Sequence, residues 1–183
     1  FPDHAVFAEE AGEFPGDGTY RWIIDPLDGT NDFAAGLPTF ASSVAVLRDG
    51  APLVAAVHQP ATDETYIARS GDGVRYDGDR VATADAAIAG RSEGGVAGAT
   101  VAVIVGRNVP RDPALAAEAD AIRGALADRV KRVLDSWAPT VHSGLLARGR
   151  LQGLVQFHPD EEDQAVTELF AAEAGAAVRR EGD

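Results

Sequence analysis

Aspartate, glycine and proline cut the first half of this chain into apolar runs too short to make helices. Tyr20 to Ile24, Ser42 to Leu47, Pro52 to His58 and Glu64 to Arg69 are short apolar or alternating runs bounded by those three residue types. That punctuation predicts a β-sheet with tight turns. Arg48-Asp49-Gly50 and Tyr76-Asp77-Gly78-Asp79 carry the Asp-Gly signal of hairpin turns. From about Gly95 the chain becomes alanine-rich and alternates between patterns. Thr100 to Val105 reads as a buried strand, and Asp112-Pro113 as the N-cap and first-turn proline of a helix reaching about Asp128. Val130 to Leu134 and Leu151 to Phe157 read as strands, and Thr140 to Arg148 as a short helix. Asp163 to Ala174 reads as a helix ended by Gly175. Strands alternating with helices imply a layered α/β core. No repeat or flexible linker divides the 183 residues. We therefore expect one domain over 1–183, with a strand-rich half (1–90) and an alternating half (91–183).

Charge and composition narrow the chemistry. The net charge is −13, from 29 acidic against 16 basic residues, and Lys131 is the only lysine. A nucleic-acid backbone or an anionic membrane surface would be repelled, so metal cations are the natural counter-charge. Cysteine is absent, so any metal must be held by oxygen or imidazole. No apolar run approaches the roughly 20 residues of a membrane helix, and no basic segment followed by an apolar one opens the chain. The dispersed carboxylates look like those of a cytoplasmic protein from a high-salt interior. An acidic surface kept for solubility alone is the other reading.

The densest chemical cluster is Trp22-Ile23-Ile24-Asp25-Pro26-Leu27-Asp28-Gly29-Thr30-Asn31-Asp32-Phe33. An apolar strand delivers Asp25 and Asp28 into a turn that can aim Asp25, the Leu27 carbonyl and Asp28 at one centre. Hard oxygen ligands of this kind suit Mg²⁺, which leaves its other positions to water and substrate phosphate. The Gly29 and Thr30 amides, at a helix start, could hold the phosphate. Read alone, the same residues make an ordinary Asp-Pro/Asp-Gly reverse turn. Glu9-Glu10, read alone, is a solvated strand end. Asp163, within Asp160-Glu161-Glu162-Asp163, is expected near a helix start for its interaction with the dipole. His4, His58, His142 and His158 have no metal-ligand spacing among themselves. Arg129, Lys131 and Arg132 form either a solvated charged face or a contact for a second substrate phosphate.

Together the three acidic segments resemble the inositol monophosphatase family of Mg²⁺-dependent, lithium-sensitive sugar phosphatases. Trp22 to Thr30 matches its Trp-Ile-Ile-Asp-Pro-Ile/Leu-Asp-Gly-Thr signature in full, and Glu9-Glu10 resembles its Gly-Glu-Glu segment with Ala8 in place of glycine. Gly36-Leu37-Pro38 to Ala45, Gly71-Asp72-Gly73-Val74 and Asp77-Gly78 continue the likeness. The second signature, Trp-Asp-x-Ala-Ala-Gly followed by Glu-Ala-Gly-Gly, is altered. Aligning Glu173-Ala174-Gly175 keeps Asp163 as the metal-binding aspartate, but Glu162 stands in place of tryptophan and Ala176 in place of the last glycine. Gln156 falls where inositol-specific members tend to carry a glutamate, and Trp137-Ala138-Pro139 where they have Gly-Ser/Thr-Ala.

The resemblance implies a layered αβαβα sandwich and a phosphomonoesterase with two or three Mg²⁺ ions, inhibited by Li⁺. Glu9, Asp25 and the Leu27 carbonyl would hold one ion; Asp25, Asp28 and Asp163 would hold a second, with Glu10 a weaker candidate for a third. Glu9 and Thr30 would orient the attacking water, while Asp28, Gly29, Thr30 and Asp163 face the substrate phosphate. The implied substrate is fructose-1,6-bisphosphate or inositol-1-phosphate. Gln156 and the altered signature favour an archaeal bisphosphatase or broad sugar phosphatase type. A 3′-phosphoadenosine 5′-phosphate phosphatase, with Trp137 against adenine, is the alternative within the family. A non-catalytic member serving as a subunit or interaction module is the alternative outside enzymology. The family also implies a homodimer. Its usual pair of helices before the Glu-Glu segment and its closing strands after the last helix are not seen here, so both ends look cut from something longer.

Overall fold

The computed structural model describes residues 1–82, 95–135 and 137–180. The expected boundary between the two halves, at 90/91, lies outside the described residues. Eight strands form one sheet: β1 (Ala5–Ala8), β2 (Gly12–Phe14), β3 (Tyr20–Asp28), β4 (Ala41–Arg48), β5 (Ala51–Gln59), β6 (Glu64–Arg69), β7 (Gly73–Tyr76) and β8 (Asp79–Arg80). Their order is β2-β1-β3-β4-β5-β6-β7-β8. Every neighbour pair is antiparallel except β1 and β3, which run parallel. Both Asp-Gly pairs make hairpin turns as expected. Asp49 and Gly50 have φ of 52° and 80°, and Asp77 and Gly78 have 47° and 90°, the double positive φ that suits the twist of the flanking strands.

A second sheet has β9 (Thr100–Val105) at its centre, flanked in parallel by β10 (Arg132–Asp135) and β11 (Gly153–Phe157). Val101 to Ile104 are all buried, so β9 is covered on both faces, as parallel strands usually are. Four helices complete the described fold: α1 (Thr30–Ala34), α2 (Pro113–Ala127), α3 (Pro139–Ala147) and α4 (Glu161–Glu173). Asp112 caps α2 through bonds from the Ala114 and Leu115 amides, as the sequence predicts. The last helix begins at Glu161, two residues ahead of the predicted start, because Asp160 takes the extended N-cap position.

Helices α3 and α4 fill the space between the sheets. Val166, Leu169 and Phe170 of α4 join Ile23, Val57 and Tyr66 of the large sheet in one core, in which Tyr66 and Phe170 are wholly buried. Leu146 of α3 and Ala171 of α4 pack with Ala102 of β9, and Leu134 and Leu154 close that smaller core. α2 packs on β9 and β10. The described layers run sheet, helix, sheet, helix, which are four layers of the expected αβαβα sandwich.

Candidate metal centre

The two aspartates of the turn would point to opposite faces of a regular strand, since side chains alternate with period two. A bulge corrects this. Asp25 pairs with Ser43 and Asp28 with Ala41, so β3 uses three steps where β4 uses two, and the extra residue turns both carboxylates to one side. Pro26 sits within the bulge, where no ladder donor is needed, and its carbonyl accepts from Ser42 Oγ at 2.7 Å. Asp25 and Asp28 are each 4% exposed. Asp25 Oδ1 accepts from the Leu27 amide at 2.9 Å. Asp28 Oδ2 accepts from the Thr140 amide at 2.9 Å and also from the Thr140 hydroxyl. Gly29 then turns the chain into α1 with φ of 82°. A Cβ there would stand 2.6 Å from the Thr39 carbonyl oxygen, so both conformation and space call for glycine. Thr30 Oγ1 donates to the Leu27 carbonyl at 3.0 Å, leaving that oxygen its second lone pair.

The other ligand candidates arrive from both ends of the chain. Parallel pairing of β1 with β3, continued by a Glu9 N–H bond to the Ile24 carbonyl at 3.1 Å, sets Glu9 beside Asp25. Asp163 comes from the first turn of α4. Carboxylate oxygens from Asp25, Asp28 and Asp163 lie within 4.8 Å of one another, and so do those of Glu9, Glu10 and Asp25. Asp25 belongs to both groups. Burial, then the neighbouring Asp28 and Glu9 charges, pushes the Asp25 carboxyl up to about 8. Burial also raises Asp28, to about 7, against the opposing bonds from Thr140. Asp163 rises to about 9, first from burial and then from Asp28 and Glu162. These carboxylates, two buried and one half-buried, crowd one another with no ion-pair partner among the described residues, and that, on top of burial, is what raises them. Oxygen-only donors in two overlapping groups fit hard divalent cations, so the residues present suit a metal.

A cleft of about 130 Å³ opens over this cluster. Glu9, Asp25, Leu27, Asp28, Gly29, Thr30 and Asp163, all predicted site residues, line it. Glu10 is exposed and outside the lining. Trp137 stands at the cleft, 43% exposed. Gln156 does not reach it, its amide donating to Thr167 Oγ1 at 3.1 Å. Arg129, Lys131 and Arg132 are exposed and outside the lining.

Two contributors escape the sequence reading. Thr140 holds Asp28 from 112 positions away. Arg107, at the C-terminal end of β9, bonds to Glu9, to Asp160 Oδ2 through Nε at 3.1 Å and to Glu162 Oε1 at 2.7 Å. Gly106 fixes the approach: its amide donates to the Phe157 carbonyl at 3.1 Å, and a Cβ on it would overlap the His158 carbonyl. Burial alone would lower Arg107, but Asp160, Glu162 and Glu9 raise it above its ordinary value. The available signal was Glu162, a carboxylate in a position usually held by tryptophan, together with the habit of parallel strands to face ligands with their C-terminal ends.

A model of the inositol monophosphatase family matches residues 1–180. The chain belongs to that family. Among its relatives within the family, the fructose-1,6-bisphosphatase/inositol-1-monophosphatase of Aquifex aeolicus is 42% identical over 85 residues, 46% of this chain and 32% of that protein. The Nus factor SuhB of Escherichia coli is 43% identical over 82 residues, 44% of this chain and 31% of that protein. The solved inositol monophosphatase of Anabaena superposes with a TM-score of 0.82 at 24% identity, over 96% of this chain and 66% of that one, which shows the shared fold. The alignments thus span about a third of the curated relatives and just under two thirds of the solved structure. Both curated relatives are bacterial, and they give no support to the archaeal, high-salt origin expected from the acidic composition.

Proposed function

We propose that the chain carries the centre of a Mg²⁺-dependent phosphomonoesterase acting on a small sugar or polyol phosphate. One observation carries the reading: Asp25 and Asp28 of one turn and Asp163, from the far end of the sequence, bring carboxylate oxygens within 4.8 Å of one another inside a cleft. Glu9, Asp25 and the Leu27 carbonyl would hold one ion, Asp25, Asp28 and Asp163 a second, and Glu10 would reach a third through water. Bound divalent cations supply charge stabilisation and a water of lowered pKa. Glu9 and Thr30 would orient such a water, Thr30 being fixed by its bond to the Leu27 carbonyl. The Gly29 and Thr30 amides grip the phosphate, and Asp28 keeps its orientation through Thr140. Gln156, turned onto Thr167, leaves the sugar to be met by other residues of the cleft. That favours fructose-1,6-bisphosphate or a broad range of sugar phosphates over strict inositol recognition. Trp137 keeps 3′-phosphoadenosine 5′-phosphate as the competitor substrate.

The reading takes 1–183 as one domain of a cytoplasmic homodimer inhibited by Li⁺. Small phosphate esters are its partners, and the net charge of −13 disfavours nucleic acid and membranes. No helix among the described residues is long and apolar enough to cross a membrane. Phosphate release from the three candidate substrates, with and without Mg²⁺, tests it. Mg²⁺-dependent release supports the enzyme, and the ranking of substrates assigns the branch. A folded chain that releases nothing favours the second reading, a non-catalytic member. That reading draws on relatives named Nus factor SuhB, which is not the name of a phosphatase.

A further inference from the structure

Among the described residues, Arg107 is the one cationic side chain lining a cleft whose other charged residues are all carboxylates. Two of its partners, Asp160 and Glu162, lie at the start of α4 and belong to neither carboxylate group. The third, Glu9, belongs to one of them. Glu162 is the better anchor, because its side chain is only 5% exposed and a buried carboxylate needs a partner. Asp160 adds a second hold, accepting from both the backbone amide and Nε of Arg107 at 3.1 Å. The contact with Glu9 is different in kind. A divalent cation beside Glu9 and Asp25 would compete for the oxygen that Arg107 now occupies, and would repel the guanidinium.

We propose that Arg107 is a tethered counter-cation of the metal centre. It neutralises Glu9 while the centre is empty, and cation binding displaces it from Glu9. Asp160 and Glu162 keep it at the edge of the cleft throughout. The inference rests on the metal-centre reading above and adds a competitor built from this chain's own residues.

The test is Mn²⁺ binding, followed by the spin resonance of free Mn²⁺ in 0.5 M KCl, where long-range fields are screened. Arg107→Gln should tighten binding by about fivefold, the value of a partly exposed ion pair. Arg21→Gln removes the same charge from a pair on Glu161 and Glu13 that does not touch the cleft, and should leave binding unchanged. Arg107→Gln combined with Glu162→Gln removes the unpaired buried carboxylate, and should reproduce the tightening. In the unsubstituted chain, the Arg107 Nη1–H proton signal, from the nitrogen on Glu9, should move as Mg²⁺ is added while those of Arg21 stay. That readout serves even if the variants fold poorly. Equal or weaker Mn²⁺ binding by folded Arg107→Gln, or a static Arg107 signal at Mg²⁺ saturation, overturns the counter-cation role and leaves the metal centre standing. A folded chain that binds no Mn²⁺ overturns both.

Discussion

Asp28 is the residue on which most of the site's geometry converges, because α3 grips it from behind while its other side faces the cluster. Replacing it by Asn keeps the shape and removes the charge. Phosphate release should fall below detection, while circular dichroism and the melting temperature stay close to those of the parent; unchanged turnover would sink the enzyme reading. Thr140 is wholly buried and acts at one remove. Thr140→Val retains the volume and the amide bond but loses the hydroxyl donor. Second-sphere losses of this sort typically cost about 10- to 100-fold in metal affinity or activity, and titration calorimetry with Mg²⁺ should show a drop of that order.

At the scale of elements, α4 does two jobs that one helix can do because its faces differ. Its first turn carries Asp163 to the cluster, and its later turns bury Phe170 between the layers. Phe170→Ala should therefore destabilise the chain by about 3–5 kcal/mol without altering the ligands, which chemical denaturation of the variant would report. The sequence predicts nearly every long element here: β6 and β9 have the expected bounds, and the hairpins fall on their Asp-Gly pairs. Those features are written in local patterns of polarity and turn residues. The ligands were legible for the same reason, since Asp25 and Asp28 share one turn and Glu9 and Asp163 each sit in an acidic segment that aligns with an altered form of a family motif. Arg107 and Thr140 were not legible. Each meets partners remote in sequence, Thr140 from α3 onto β3 and Arg107 from the end of β9 onto Glu9 and α4, and no local pattern records which strand end will face which helix. The β3 bulge was equally hidden, although Pro26 marks the spot, because pairing register is a property of two strands.

For the molecule as a whole, the three carboxyls raised to about 8, 7 and 9 tie stability to pH. Each has a folded value above its ordinary 3.8, so between those limits the native chain binds more protons than the unfolded one. Without a cation, this contribution must fall as pH rises from about 4 to about 9. Melts in EDTA should give a lower midpoint at pH 8 than at pH 5, and Asp163→Asn should flatten the difference. Added Mg²⁺ should raise the midpoint more at pH 8; a parent and variant with identical pH profiles would refute the linkage. The distance along the chain between Asp28 and Thr140, and between Glu9 and Asp163, has a kinetic consequence. Thr140 and Asp163 reach Asp28 only after α3 and α4 have packed on the large sheet, so an ion held by Asp25, Asp28 and Asp163 finds no complete site in a half-folded chain. Its effect should fall on the rate of unfolding and scarcely on the rate of folding. Withdrawing the ion would shorten the lifetime of the native state while leaving the time needed to reach it unchanged.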